Sequence, residues 1–162
     1  MNIREAKLKD LQQLYKLRRI FAKFHDDLMI RKNPKVKPYR KKVKNITYFM
    51  RRKLEASIRA KNKAIIVAED DSKILGYCML EIKRNSPGFK LERVGHINQI
   101  FVRKEFRGKG IGSELMKAAV KWFKERKIKH LSLKVYAGNE KAYDIYKRWG
   151  FFDYATEMRK NI

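Results

Sequence analysis

Residues 107–113 read Arg-Gly-Lys-Gly-Ile-Gly-Ser, with Gly108, Gly110 and Gly112 lying where an apolar run gives way to helical spacing. Glycine is costly in backbone entropy. Its repetition at a helix start points to a need for bare backbone N–H groups. The first amides of a helix have no acceptor within it, and the helix dipole makes that end positive. An anion placed there is stabilised by both. Arg107 and Lys109 add charge, so the segment suits a phosphate or pyrophosphate. A plain tight turn would use the same glycines. A Walker loop is absent, because no Gly-Lys-Ser/Thr ending occurs. A dinucleotide fingerprint would need glycine at 113, where serine stands, and a repeated strand–helix array that is missing.

Such a seat needs a strand before it and a helix after it. Residues 94–102 supply the strand, ending in Ile100-Phe101-Val102. Ile111, Leu115, Ala118 and Trp122 recur at i, i+4, i+7 and i+11, which predicts a helix over 110–126. Upstream, residues 2–6 alternate as a first strand. A helix is expected over 10–30, with Leu17, Ile20, Phe21, Phe24 and Leu28 on one face and Asp10 as N-cap. Pro34 and Pro38 mark 31–42 as a loop. A second helix is expected over 43–60, from Ile46, Phe49, Met50, Leu54 and Ile58. Residues 64–70 and 73–83 form an antiparallel hairpin around Asp70-Asp71-Ser72. Asn85 to Gly88 reads as a turn. Residues 130–136 alternate as a strand, 139–147 form a short helix stopped by Gly150, and 151–160 read as a last strand. Hairpins early and a strand–helix–strand unit late indicate an α+β or α/β domain.

The charge is extreme. Lys plus Arg is 42 against 17 Asp plus Glu, a net +25. Residues 28–54 hold eleven of those cations and no acid, so +11 lies in one sixth of the chain. That predicts attraction to polyanions, although a lysine-rich or heat-adapted surface would look the same. With Tyr39, Tyr48 and Phe49 interleaved, 31–53 admits a nucleic-acid-binding reading, without any recognised signature. Length suits one domain. No stretch approaches the ~20 apolar residues of a membrane span, and residues 1–10 show no apolar signal segment. Cys78 is the single cysteine, which excludes an internal disulfide and fits a reducing, cytoplasmic setting. Mid-strand between Tyr77 and Met79, it reads as core.

Two motifs in order resemble the GNAT superfamily of acyl-CoA-dependent N-acetyltransferases. The first is Arg107-Gly108-Lys109-Gly110-Ile111-Gly112 after a strand ending in Val102. The second is Asn139, Ala142, Tyr146, Gly150 and Phe151, at the spacing Asn-x-x-Ala-x-x-x-Tyr-x-x-x-Gly-Phe. The resemblance runs from residue 64 to the end. It implies one domain with a mixed, mostly antiparallel twisted sheet of about six or seven strands and about four helices. Residues 1–62 would cap the acceptor side and 63–162 would form the acetyl-CoA core. It also implies that amides from Arg107 through Ser113 chelate the pyrophosphate of acetyl-CoA, the co-substrate. Ile100, Phe101 and Val102 would pair with the pantetheine arm, and an N–H near Phe101 or Val102 would polarise the thioester carbonyl. Asn139 would bond the pantetheine or hold neighbouring strands apart. Tyr146 would protonate the departing thiolate. No metal is implied. A scaffold that binds acyl-CoA without turnover would share most of these features.

A nucleophilic amine must first lose a proton. Lys134 stands twelve residues before Tyr146, where some branches of the family carry glutamate, which counts against the branch acting on ribosomal-protein N-termini. Glu81, Glu92, His96 or water remain for the base. The cationic N-terminal region would repel polyamines and aminoglycosides, so the expected acceptor is a neutral or anionic amine, small or on a protein. A monomer or homodimer, away from any membrane, is expected.

Overall fold

The computed structural model describes residues 1–160. Five strands form one sheet in the order β1-β2-β3-β4-β5: Asn2–Glu5, Lys63–Asp70, Lys73–Arg84, Arg93–Val102 and Leu131–Leu133. Four α-helices accompany them: α1 Leu11–Lys32, α2 Ile46–Arg59, α3 Ile111–Glu125 and α4 Glu140–Arg148. The sheet is antiparallel except where β5 runs parallel to β4. The expected α+β class holds.

Alternation within the strands gives each face its own core. Ile65, Val67, Tyr77, Met79 and Phe101 pack against Leu14, Leu17, Met50 and Leu54 of α1 and α2. On the other face, Ile66, Cys78, Leu80 and Ile97 pack against Leu115, Ala119, Trp122 and Phe123 of α3. Gly95 lets α3 and the β4–β5 pair approach closely, since a Cβ there would stand 2.6 Å from Leu131 and 2.7 Å from Phe123. The β2–β3 hairpin turns on Asp71 and Ser72, both at positive φ, as a two-residue turn of this twist requires.

The strand count is five among the described residues, not six or seven. The missing element is 151–160, which forms no strand. Pairing of β4 with β5 covers only Gly95↔Leu131 to Ile97↔Leu133. With β5 three residues long instead of seven, the tail has little ladder to extend. Phe152, Tyr154 and Met158 are left exposed at 78%, 93% and 89%. Asp10 also departs from expectation. Its carboxylate makes no cap bond to α1. It turns back to accept from the Lys7 amide at 2.7 Å and from Arg4 at 2.7 and 3.0 Å.

Residues 31–42 are not an open loop. α1 runs on to Lys32, Asn33 accepts from the Lys35 amide at 3.1 Å, and Pro34–Arg40 wind into a 3₁₀ helix. Asp26 holds this segment to α1. It is buried and paired with Arg40 and with Lys42, the latter at 2.6 Å. Burial alone would raise its pKa, but the hydrogen bonds from Lys42 and Arg40 outweigh that and hold it below the usual aspartate range. Such a group stabilises the fold above its unfolded pKa, and that contribution is lost as pH falls through the lower folded value. Asp26→Ala is therefore expected to destabilise the chain by about 2 kcal/mol at pH 7, lowering Tm by roughly 4–8 °C. The gap from wild type should shrink as pH falls below about 4, as read by thermal unfolding across pH.

Candidate active site

α3 begins at a left-handed turn. Gly108 and Gly110 both have φ +77°, and a Cβ built on either meets nothing within 4 Å. These two glycines are demanded by backbone conformation, not by crowding, and the space above them is open. Gly112 has no such constraint, since its Cβ would meet only Trp149 at 3.9 Å. The Arg107 amide donates to Lys104 O at 3.3 Å, and the Ser113 amide to Gly110 O at 2.9 Å. The amides between them, from Gly108 to Gly112, have no intramolecular acceptor among the described residues. Residues 107–110 are exposed. Free amides, positive dipole and open space therefore coincide at the point the sequence indicated.

The strand that leads there is open on one side. Met79 pairs with Gln99 but Leu80 pairs with Ile97, so Asn98 is an extra residue, a β-bulge. A bulge bends its strand and adds twist. Pairing with β5 stops at Ile97, immediately before it. Beyond, residues 98–102 keep only β3 as a neighbour, and β4 and β5 part. Arg103 donates to Leu75 at 2.9 Å. Alternation in an antiparallel ladder then turns the main chain of Phe101 and Gln99 toward β3, and that of Ile100 and Val102 toward the open side. The Val102 carbonyl accepts from Arg107 Nε at 2.9 Å, consistent with that direction. The Arg107 guanidinium lies 5.6 Å from the Phe101 ring and 5.1 Å from that of Phe24.

Tyr146 lies on α4, half-buried, with its ring 5.9 Å from Trp149 and 6.1 Å from Phe151. Burial, with a smaller contribution from Cys78, pushes its pKa up to about 12. Cys78 stands opposite Ile100 on the neighbouring strand. The phenol stays protonated at neutral pH and has no hydrogen-bond partner among the described residues. Cys78 itself is fully buried, and burial pushes its thiol up, which leaves no thiolate for nucleophilic work. Asn139 stands one residue before α4, and its side chain makes no cap bond.

Among the base candidates, Glu81 and His96 face each other across β3 and β4. His96 is half-buried, with Nδ1 2.9 Å from Ser132 Oγ. Burial first, then Lys83, lowers its pKa, so the ring is neutral at pH 7 and able to accept a proton. Burial would raise the pKa of Glu81, but Lys63 at 3.1 Å and Asn98 at 3.3 Å hold it below the usual glutamate range. Glu92 is not brought to the site. It precedes β4, roughly 26 Å along the strand from Ile100 at about 3.3 Å per residue. Lys134 is paired with Glu157.

One feature escaped the sequence reading. A shallow groove of about 630 Å³ runs along α3 from Ser113, floored by Met116, Val120 and Trp149 and edged by Lys117, Lys121 and Lys124. Those lysines share one helix face, so a basic stripe was visible; that Trp149 lies against it was not.

Residues 19–151 match the model of the acetyltransferase (GNAT) family. The chain is 30% identical over 154 residues to an N-alpha-acetyltransferase of Sulfurisphaera tokodaii, covering 92% of this chain and 78% of that protein. It is 32% identical over 85 residues to a putative [ribosomal protein bS18]-alanine N-acetyltransferase of Bacillus subtilis, spanning about half of each, 52% and 51%. A solved structure described as a predicted acetyltransferase with acetyl-CoA, from Clostridium acetobutylicum, superposes with TM-score 0.76 at 22% identity over 99% of this chain and 95% of that one. Among the described residues no helix is long and apolar enough to cross a membrane, and no group of His, Cys, Asp or Glu could hold a metal ion.

Proposed function

The chain belongs to the GNAT acetyltransferase family, and on that premise we propose that it moves an acetyl group from acetyl-CoA to a primary amine by direct attack. The observation that carries this is the run of amides from Gly108 to Gly112 with no acceptor among the described residues, exposed at Gly108 to Gly110 and set beside the open stretch of β4. The residues present suit acetyl-CoA: an anion seat flanked by Arg107 and Lys109, a free strand edge, and a protonated phenol. Bound there, it would supply an activated thioester that a neutral amine attacks through a tetrahedral intermediate, with the CoA thiolate leaving.

The chain's own groups then divide the work. The amides between Arg107 and Ser113 would hold the pyrophosphate by helix dipole and hydrogen bonds. Lys117, Lys121 and Lys124 would draw the remaining phosphate toward the α3 groove. Ile100 and Val102 would extend the sheet with the pantetheine amides, Phe101 supporting them from the core. An outward N–H of Ile100 or Val102 would stabilise the oxyanion. Asn139 would bond the pantetheine from the far side. Tyr146 would give its proton to the thiolate, and His96 or water would take one from the amine. Residues 1–62 would cap the acceptor and 63–162 would hold the co-substrate. The cationic cap favours a neutral or anionic acceptor.

Acetyl-CoA at 100 times its Kd is expected to stabilise the folded chain by about 2.7 kcal/mol. Tm would rise by roughly 5–11 °C. A melt that does not move with acetyl-CoA at millimolar concentration would refute the site.

A further inference from the structure

Arg18 has no ion-pair partner among the described residues. It sits on the inner side of α1, one residue past Leu17 and four past Leu14, both fully buried. Its Nη1 is buried and has no hydrogen-bond partner among the described residues. Burial lowers its pKa, and what opposes that is the Tyr77 hydroxyl, which is not a carboxylate. Glu81, on β3 at the same alternation as Tyr77 and Met79, is already taken by Lys63 at 3.1 Å and Asn98 at 3.3 Å. On α2, Lys53 is exposed overall, yet its ammonium lies below the ordinary lysine range, by partial desolvation first and then by repulsion from Arg18. Glu81 offsets part of that repulsion at Lys53 but is bonded to Lys63 and Asn98, and no ion pair joins it to Arg18 among the described residues.

Their position has meaning. Tyr77, beside Arg18, donates to Gln99 Oε1 at 3.1 Å, and Gln99 lies in the stretch of β4 that has no partner on the β5 side. Arg18 therefore borders the place where an amine would meet the thioester. A buried donor left without an acceptor is costly, and an arriving anion would relieve it.

We infer that Arg18, reinforced by Lys53, seats an anionic group of the acceptor, and that the acceptor is an amine carrying a carboxylate. This rests on the proposed acetyl transfer. A carboxylate fits the planar guanidinium fork, and a phosphate dianion would be repelled more by the Glu81 carboxylate close by. The carboxylate has two sources, the α-carboxylate of a free amino acid or an acidic side chain behind a peptide N-terminus.

The full chain with acetyl-CoA, followed by CoA release to a thiol reagent, separates them. One pair of acceptors is alanine and alaninamide; the other is Ser-Glu-Gly-Gly-amide and Ser-Gln-Gly-Gly-amide. The carboxylate member of at least one pair is expected to be favoured by about tenfold or more in kcat/KM, and that pair identifies the source. Arg18→Gln is expected to bring the ratio close to one, and Arg18→Lys to keep part of it. Wild-type ratios near one in both pairs would overturn the seat. So would an unchanged ratio in an Arg18→Gln chain that acetyl-CoA still stabilises. If Arg18→Gln does not fold, Arg18→Lys and Lys53→Gln give the same readout. If none of the four is acetylated, the CoA-loaded chain is melted with each N-acetylated form, and equal shifts within both pairs overturn the seat. A chain that binds acetyl-CoA and acetylates amines without regard to charge sinks only Arg18's role. A chain that acetyl-CoA does not stabilise sinks the proposed function too.

Discussion

Tyr146→Phe is expected to lower kcat about 100-fold while acetyl-CoA still shifts the melt as in wild type. The ring would keep its contacts with Trp149 and Phe151. The hydroxyl has no partner within the described residues, so its removal strands no buried group and stability should hold. What disappears is the proton assigned to the departing thiolate. A thiolate with a conjugate-acid pKa of about 8.5 leaves more readily when protonated or hydrogen-bonded. Because burial lifts the Tyr146 pKa to about 12, the phenol remains a donor well beyond neutral pH. Wild-type kcat should therefore show no alkaline fall from this group below about pH 11. A variant within about threefold of wild type would remove Tyr146 from the chemistry.

Gly110→Val should abolish stabilisation by acetyl-CoA. The position has φ +77°, where a β-branched residue is an outlier and costs about 1–2 kcal/mol. That strain reaches the first turn of α3, whose Ser113 and Glu114 amides both donate to Gly110 O. No protein atom fills the space above the glycine, so the valine methyls would project into the volume assigned to the pyrophosphate. The apo melt should drop by roughly 2–8 °C, and added acetyl-CoA should leave it unmoved. Gly112→Ala is the control. Its Cβ would meet only Trp149 at 3.9 Å and no left-handed φ is involved, so the apo melt should stay at wild type. A normal acetyl-CoA shift in Gly110→Val would show that the diphosphate sits elsewhere.

Local features were the legible ones. α3 and its glycines could be read because helical period and positive φ are written in adjacent residues, and the structure moves the helix bounds by one residue at each end. Asn98 gave no signal. A bulge arises from how two strands of unequal demand are matched, and nothing in Asn-Gln-Ile marks it. The last strand was misplaced for a similar reason. Phe151, Phe152 and Tyr154 have strand-forming side chains, but a strand needs a neighbour, and β5 ends at Leu133. The capture of Asp26 by Arg40 and Lys42 spans 14 and 16 positions, with both cations inside the 28–54 charge run and the acid just outside it. Arg18 lay in plain view among Leu14, Leu17 and Phe21, on the face a helix normally keeps apolar, and only the unpaired Nη1 gives it significance.

The Arg107 link to the Val102 carbonyl fastens the end of a strand to the start of a helix. A thread-like ligand that touches both meets a single rigid frame. Once its charged head has docked, its flexible tail is confined near the second half-site at an effective concentration in the millimolar range. Tethering of this kind can multiply affinity by about 10²–10⁴ over either half alone. Neither half-site need be tight on its own, so the spent carrier can leave one end at a time.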